Sequence, residues 1–424
     1  EQVKALFRRA FIIGRRFRIV HVIFGRGRDH EVVEVSTFRA YLEAAAAEQV
    51  EGNEKTSKSE LAGKSHVVDA TGRVLRDNVW GPQIEDAARR DFTINAMYYD
   101  PVTQVVVDYH HGLRDLKKKT LRMIGDPATR YREDPVRLIR AVRFAAKLGF
   151  DIEPATRAPM RDAAALLADV PASRQFDEMF KLLQTGHALA SVAELRKQGL
   201  GQLFPLLAPL MADGVKHKNQ RVQFVEAALA DTDARVAEGR SVAPSFLLGC
   251  LLWHEVNERW LQGRANGAPA VPALQDAIEA VFDARVGDIS GRGKLAADMR
   301  EVWLMQPRFE RRVGASAFSL IEQPRYRAAF DFLRLRADCG EVDAELADWW
   351  EDFALGSTEE RDALIAAVRE AQRGAPRRAP HAATAGPEAV DAAPGGESAA
   401  PARKRRRRRR KPGGSAAPAD AAAT

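Results

Sequence analysis

Three segments of the sequence place charged residues at short spacing against apolar ones, and the first of them surrounds Glu34. This residue lies in the middle of the strand-like run 32–35 (VVEV). A carboxylate that projects from a rigid strand suits a phosphoryl-transfer site, because such a site must hold a hard cation in fixed geometry. The alternative is a half-exposed strand residue with no chemical role.

The second segment is the run 85–96 (EDAARRDFTINA), in which Arg89, Arg90 and Asp91 lead directly into apolar residues. The charges therefore lie at the edge of a segment that we expect to be buried. Guanidinium groups in that position suit a triphosphate, since they bind phosphate oxygens with two parallel N–H donors and stay charged. A solvated helix face with weak local ion pairs is the alternative.

The third segment, 130–144 (RYREDPVRLIRAVRF), predicts a helix that starts with Asp134 as its N-cap and Pro135 at its first position. At 100° per residue, four cations fall on one side of this helix: Arg137, Arg140, Arg143 and Lys147. The opposite side is apolar and carries Leu138, Ala141, Val142, Ala145 and Leu148. The pattern predicts a helix that packs on one face and presents a cationic stripe on the other.

Asp134 and Arg137 form a chemically complementary pair within that helix. One supplies acceptors and the other a fork of donors, so together they could read the hydrogen-bonding edge of a base without a nucleic-acid template. Adenine offers an amino donor and ring-nitrogen acceptors on that edge.

The elements that must position these residues follow from the hydrophobic pattern. Runs 17–24 and 31–38 predict an antiparallel hairpin, and further strands are expected at 105–109 and 121–124. Residues 43–72 lack periodicity and predict a long mobile loop. From residue 134 to about residue 372 the period is helical, without a convincing strand. We therefore predict an α+β protein with a small α/β head, a long all-α neck and body, and a disordered basic tail.

Composition separates that tail from the rest of the chain. The 424 residues carry 65 basic and 58 acidic side chains, but nine of the basic ones form a single run, which leaves 56 against 58 elsewhere. An uninterrupted cationic run points to a polyanionic partner. The run comprises Arg403, Lys404, Arg405, Arg406, Arg407, Arg408, Arg409, Arg410 and Lys411.

Other classes of protein receive no support from the sequence. The longest uncharged apolar stretch, 241–253, has 13 residues and is shorter than the ~20 that span a bilayer, so it predicts a buried core helix and no membrane association. Two cysteines cannot build a disulfide framework or a CxxC metal site, which favours a reducing cytoplasm. P-loop, dinucleotide-binding, hydrolase and zincin motifs are also missing.

Taken together, the spaced motifs resemble the class II nucleotidyltransferases, which include bacterial poly(A) polymerases and CCA-adding enzymes, and the poly(A) polymerases are the more similar. The resemblance covers residues 1 to about 355. It is carried by residues 14–18 (GRRFR), 34–39 (EVSTFR), 75–78 (LRDN), 85–95 (EDAARRDFTIN), 130–137 (RYREDPVR) and 317–330 (AFSLIEQPRYRAAF).

This resemblance implies template-independent transfer of AMP from ATP to RNA 3′ ends, of mRNA and small RNAs, with release of pyrophosphate and promotion of RNA turnover. It implies two Mg²⁺ or Mn²⁺ ions, and the RNA-degradation machinery as a further partner. It assigns Asp91 and Glu34 to catalysis, with Glu34 as a metal ligand. Nucleotide contacts would be Arg89, Arg90, Asn95, Asp134, Arg137 and Arg140, with Asp134 and Arg137 selecting the base. RNA would be bound by Arg143, Lys147 and the basic run.

One departure from the family pattern affects the expected activity. The family's main metal ligands form an Asp-x-Asp pair after a glycine turn, upstream of the segment that matches Glu1, and no such pair follows a suitable turn here. We expect the head to be N-terminally truncated and the chain to be inactive or very feeble unless that piece is restored. A CCA-adding enzyme, or a non-catalytic RNA-binding relative that has lost the metal site, are the alternatives.

The resemblance and the composition together give four predicted regions. Residues 1–125 would form the nucleotidyltransferase head, and residues 126–205 a helical neck that binds nucleotide and RNA. Residues 206–372 would form an all-α RNA-binding body, and residues 373–424 the disordered arginine-rich tail. By counterion release, this tail should tether RNA without reading its sequence.

Overall fold

The computed structural model describes residues 2–14, 18–25, 30–41, 48–49, 66–68, 74–77, 79–211, 219–285 and 293–374. The first sheet has three antiparallel strands in the order β1-β2-β3, after a short helix α1. The bounds are α1 Gln2–Leu6, β1 Ala10–Ile13, β2 Ile19–Phe24 and β3 Glu31–Val35. The predicted hairpin is confirmed, because Val, Ile and Phe favour a pleated backbone.

Strands β4 (Glu48–Gln49) and β5 (His66–Val68) pair in parallel, and β5 pairs antiparallel with β6 (Val74–Asp77). The prediction of a long mobile loop over 43–72 is therefore wrong at β4 and β5, since strands of two or three residues are too short to show an alternating pattern. The other residues of this range lie outside the described part of the chain. The motif residues 75–77 belong to β6; residue 78 lies outside the described part of the chain.

The segment with the Arg-Arg-Asp triplet lies between helix α2 (Gln83–Ala88) and a second hairpin, β7 (Met97–Asp100) and β8 (Val105–Asp108). A 3₁₀ turn, Thr93–Asn95, follows the triplet. Helix α3 (Gly112–Lys117) and strand β9 (Thr120–Leu121) come next, so the strand expected at 121–124 is shorter and starts one residue earlier. Phe92 forms an isolated antiparallel bridge with Met123.

The helix that we expect to start at Asp134 starts three residues later, and a separate helix precedes Asp134. Helix α4 (Pro127–Glu133) has Asp126 as its N-cap, and α5 (Arg137–Leu148) follows. Asp134 is therefore not an N-cap; it ends α4 in an extended conformation, with φ −151° and ψ 93°. Pro135 explains this, because a proline ring disfavours the helical conformation of the residue before it.

The apolar face of α5 is buried as predicted, except Leu148, which is 40% exposed at the end of the helix. Gly149, with φ +65°, then reverses the chain, and strand β10 (Asp151–Ile152) pairs in parallel with β9. The prediction of no strand after residue 134 is therefore wrong at β10.

Every described element after β10 is a helix, which confirms the predicted all-α character of this part. The helices are α6 Pro154–Arg157, α7 Met160–Ala163, α8 Ala172–Leu183, α9 Ala188–Gln198, α10 Ala208–Met211, α11 Gln220–Ala237, α12 Pro244–Ala265, α13 Ala270–Ala284, α14 Gly293–Phe309, α15 Ala315–Ile321, α16 Tyr326–Asp338, α17 Ala344–Leu355 and α18 Thr358–Gly374. Short 3₁₀ turns span Ala164–Asp169, Gly201–Leu203 and Pro205–Leu207.

The core of the helical part is aromatic. Trp253, Trp303, Trp350, Phe309 and Phe332 are fully buried. The apolar stretch 241–253 contributes the buried first half of α12, as predicted, and no described helix is long and apolar enough to cross a membrane. Helix α18 extends to Gly374, so the tail cannot begin at residue 373; residues 375–424, including the basic run, lie outside the described part.

Candidate functional site

Asp91 is the point where the head meets helix α5. The residue is 9% exposed, and its Oδ1 accepts hydrogen bonds from the Phe92 backbone N–H (2.9 Å) and from Asn95 Nδ2 (3.2 Å). Its Oδ2 lies 2.6 Å from both Nε and a terminal nitrogen of Arg140. Phe92 also packs edge-on against Phe144 of α5. The structure therefore brings three predicted residues, Asp91, Asn95 and Arg140, into one bonded group.

A second group lies at the junction of α4 and α5. Arg130 is 3% exposed and donates to Glu133 Oε2 (2.7 Å) and to the backbone carbonyls of Arg89 (2.7 Å) and Arg90 (2.6 Å). Arg137 donates to the same Glu133 oxygen (2.9 Å) and to the carbonyl of Arg130 (2.7 Å). Burial, together with the nearby charge of Arg137, lowers the pKa of Arg130. Arg130 therefore ties the Arg-Arg-Asp triplet to the α4–α5 junction.

Asp134 and Arg137 have different side-chain partners, although the backbone N–H of Arg137 donates to the carbonyl of Asp134 (3.0 Å). Asp134 Oδ2 accepts from Arg174 of α8 at 2.9 Å. Arg137 turns back toward α4. The two residues therefore share the α4–α5 junction, and the base-selecting role remains a prediction.

The cationic stripe of α5 does not face solvent as a whole. Arg137 and Arg143 have side chains only 14% exposed, and Arg140 is bonded to Asp91. Arg143 lies 3.9 Å from Glu178 of α8, and burial lowers its pKa. Only Lys147 is exposed. The prediction of a presented stripe is wrong for the three arginines, because acidic residues of other segments lie against them.

Arg89 and Arg90 share the carboxylate of Asp86 on α2. One terminal nitrogen of Arg89 lies 3.9 Å from Asp86 Oδ1, and one of Arg90 lies 3.2 Å from Oδ2. Tyr98 of β7 donates to the same Oδ2 at 2.7 Å. Both arginines are thus next to Asp91 in the chain, and their side chains contact Asp86 of α2.

Glu34 pairs with a residue that belongs to none of these groups. Its carboxylate is 63% exposed and lies 3.1 Å from Nε2 of His21, its cross-strand neighbour on β2. Among the described residues, no hydrogen bond or ion pair joins Glu34 to Asp91. Among those residues, no three His, Cys, Asp or Glu side chains come together to hold a metal ion. The described donors therefore do not fit a divalent-metal site, and Glu34 as a ligand stays a prediction.

Several residues that organise the site were not singled out from the sequence. Arg130 and Glu133 are two of them. Their i, i+3 spacing, and the i, i+4 spacing of Glu133 and Arg137, is that of helical ion pairs and could have revealed the network. Asp86 has the same i, i+3 and i, i+4 spacing to Arg89 and Arg90. Tyr98 and Arg174 lie on other elements than their partners, so no local pattern indicates them.

Comparison with known proteins shows which family the chain resembles. Three family models match the chain: "Poly A polymerase head domain" over residues 1–122, "Probable RNA and SrmB- binding site of polymerase A" over 149–211, and "Polymerase A arginine-rich C-terminus" over 266–412. The poly(A) polymerase I of Haemophilus influenzae is 37% identical over 381 residues, which cover 89% of this chain and 79% of the relative. That of Escherichia coli O6:H1 is 38% identical over 383 residues, 89% of this chain and 77% of the relative.

CCA-adding enzymes are more limited matches. That of Limosilactobacillus fermentum is 43% identical over 141 residues, which is 33% of each chain. A solved structure of the Bacillus stearothermophilus CCA-adding enzyme in complex with CTP is 18% identical, with a TM-score of 0.41 over 88% of this chain and 87% of the other. The assignment therefore rests on the long sequence relatives. They place the chain among the nucleotidyltransferases, enzymes of the polynucleotide adenylyltransferase type. Within that class, the chain belongs to the bacterial poly(A) polymerase I family.

Proposed function

We propose that this protein adds AMP units from ATP to the 3′ end of RNA without a template, and thereby promotes RNA turnover. In the reaction, the 3′ hydroxyl oxygen forms a bond to the α-phosphorus, the hydroxyl proton passes to solvent water, and the bond from the α-phosphorus to the leaving pyrophosphate breaks. The observation that carries the proposal is the match to poly(A) polymerase I relatives over 89% of the chain.

The proposal assigns the described side chains to binding and orientation. Arg89 and Arg90 contact the phosphates, because guanidinium groups bind phosphate oxygens through charged hydrogen bonds. Arg140 contributes a third cation from α5. Asp91 holds Arg140 and Asn95 in place through the hydrogen bonds described above. No step is assigned to a metal ion, since the described donors do not gather around one.

Base selection is assigned to the α4–α5 junction. Asp134 and Arg137 would present acceptors and donors to adenine when the nucleotide enters, with Arg174 fixing the orientation of the Asp134 carboxylate. Because CTP presents a different pattern of donors and acceptors, this pair would distinguish the two nucleotides.

RNA is the proposed second ligand. The family model over residues 149–211 describes a probable RNA-binding and SrmB-binding site, which supports RNA binding by the neck and binding of a protein partner. Arg143, Lys147 and the run 403–411 would add cationic contacts to phosphates. We place this activity in the cytoplasm, in keeping with two unpaired cysteines.

Nucleotide binding by the chain is the direct test. We expect ATP to bind more tightly than CTP in isothermal titration, and an RNA with a 3′ hydroxyl to receive A residues when Mg²⁺ or Mn²⁺ is supplied. Binding is the primary measurement, because it tests nucleotide recognition separately from incorporation.

The alternatives give different results. Preferred use of CTP on a tRNA that lacks its end would indicate a CCA-adding enzyme, which the match to CCA-adding relatives over a third of the chain allows. RNA binding without any nucleotide binding would contradict the proposal and indicate a non-catalytic RNA-binding protein.

A further inference from the structure

Asp86 is a buried carboxylate on which three separate segments converge. It is 6% exposed. Its Oδ1 accepts from the backbone N–H of Arg39 (3.1 Å), in the segment that follows β3, and its Oδ2 accepts from Tyr98 of β7 (2.7 Å) and from Arg90. A buried carboxylate is tolerated only when donors surround it. Asp86 therefore has a fixed position relative to all three segments.

Arg90 is held against Asp86 along one edge of its guanidinium group. Nε lies 3.4 Å and a terminal nitrogen 3.2 Å from Asp86 Oδ2, and Nε also donates to the Tyr98 hydroxyl at 3.2 Å. The other terminal nitrogen donates to the carbonyl of Asn95 at 3.3 Å. Each of the three nitrogens uses one N–H in these bonds, so two of the five N–H donors of an arginine remain for a ligand. The Arg90 side chain is 44% exposed, so a ligand can reach them.

Tyr98 links the two residues. Its hydroxyl donates to Asp86 and accepts from Arg90, and the Arg90 guanidinium lies 5.1 Å from the centre of its ring. Phe38 packs edge-on against the same ring, with the ring centres 5.6 Å apart. The tyrosine therefore restricts the Arg90 guanidinium in two ways, through the hydrogen bond to its hydroxyl and through the contact with its ring.

We propose that Asp86 and Tyr98 are positioning residues that orient Arg90 toward a phosphate group of the bound nucleotide. The inference rests on the proposed function, because it takes ATP as the ligand. An arginine held in advance loses less side-chain freedom on binding, so its phosphate contact is stronger than that of a mobile one. Neither Asp86 nor Tyr98 needs to touch the nucleotide.

If Asp86 and Tyr98 orient Arg90 toward a phosphate, their substitution should affect only ligands that carry phosphate groups. Asp86→Asn removes the charge of the carboxylate and replaces one acceptor oxygen by an NH₂ group. In one orientation of the amide this NH₂ group opposes the Tyr98 and Arg90 donors, and in the other it opposes the Arg39 backbone N–H. The charged contact with Arg90 is lost in either orientation. Affinity for ATP should fall by about tenfold, the size expected when one charged hydrogen-bonded contact is weakened. Affinity for adenosine should change by less than about twofold, because adenosine has no phosphate.

The test measures the dissociation constants of ATP and adenosine by isothermal titration for the chain and three variants. Tyr98→Phe keeps the ring but loses the hydroxyl, and should weaken ATP by about threefold with adenosine unaffected. Tyr99→Phe is the matched control, since the adjacent Tyr99 is 60% exposed, and should leave both ligands unchanged. Circular dichroism melts check that each variant is folded.

The outcomes separate the inference from the proposed function. If the unaltered chain binds no ATP, the proposed function fails. If it binds ATP and Asp86→Asn binds ATP equally well, or loses ATP and adenosine in the same proportion, the positioning role is refuted. If Asp86→Asn does not fold, the ratio of ATP to adenosine affinity in Tyr98→Phe decides.

Discussion

Arg140 of α5 reaches Asp91 of the head with two nitrogens, both 2.6 Å from one carboxylate oxygen. The pair connects residues 49 positions apart and joins the Arg-Arg-Asp triplet to the helix that follows it. Since Asp91 Oδ1 is taken by Phe92 and Asn95, the carboxylate is an acceptor on both of its oxygens. The contact makes the head and α5 parts of one site.

Arg140→Lys should weaken ATP binding by about tenfold. Lysine has a single terminal nitrogen, so Asp91 cannot fix the orientation of the cation through two nitrogens as it does with arginine. Isothermal titration measures the loss. Arg132→Lys on α4 is the control, since Arg132 is exposed and has only local contacts. Equal affinities for ATP in Arg140→Lys and the unaltered chain would contradict a role for the Asp91–Arg140 pair in nucleotide binding.

Arg174→Ala should reduce discrimination between ATP and CTP. The substitution removes the donor that lies 2.9 Å from Asp134 Oδ2, so the carboxylate gains freedom to adopt other orientations. We expect the ratio of CTP to ATP dissociation constants to fall severalfold, measured by titration of both nucleotides. Arg174→Lys should recover part of the ratio, whereas an unchanged ratio in the alanine variant would separate Arg174 from base selection.

Arg130→Met should lower the free energy of unfolding by about 3 kcal/mol, as expected when one partner of a buried charge network is removed. The change leaves Glu133 with one fewer cation and two backbone carbonyls without their donor. Urea denaturation followed by circular dichroism gives the value. In contrast, Arg132→Met should cost less than about 0.5 kcal/mol, and a similar loss in both variants would show that Arg130 has no special structural role.

Stability should fall on acidification because of His254. Neither of its ring nitrogens has a hydrogen-bond partner among the described residues, and Phe224 packs against the ring. Burial lowers its pKa; the charge of Glu341 opposes this, while Arg221 and Arg336 add to it. The unfolded chain therefore binds a proton more readily than the folded one, so stability is lost as pH falls below about 6.5.

His254→Phe removes that titration. Melting temperatures between pH 8 and pH 5 should decline less steeply in the variant than in the unaltered chain, while the two curves keep a constant offset above pH 7.5. Parallel curves over the whole range would rule out His254 as a source of acid sensitivity.

Deletion of residues 376–424 should weaken RNA binding and flatten its dependence on salt. The run 403–411 supplies nine cations, and each phosphate neutralised releases counterions. Fluorescence anisotropy at several KCl concentrations gives the slope. Deletion of residues 412–424, which keeps the run, is the matched control; an unaltered slope in the longer deletion would refute tethering by the tail.

Much of the fold could be predicted from local patterns. The hairpin of β2 and β3, the buried first half of α12 and the long helical region depend on periodicity and on β-branched residues, which act over a few positions. The exact ends of the helices were harder to predict. Aspartate is a common N-cap residue, but Asp134 follows helix α4, which has Asp126 as its own N-cap, and precedes Pro135. It therefore ends one helix instead of starting the next.

The sequence by itself determined which side chains can do the chemistry: arginines beside Asp91 and along α5, and the acid–arginine pair Asp134 and Arg137. The tertiary structure decided how they are paired. Arg140 bonds to Asp91, Arg174 bonds to Asp134, and Tyr98 bonds to both Asp86 and Arg90, in each case between different segments of the chain. The chemistry of a charged side chain follows from its residue type, which the sequence gives. Its partner depends on which opposite charge the packing of apolar faces brings within hydrogen-bonding distance.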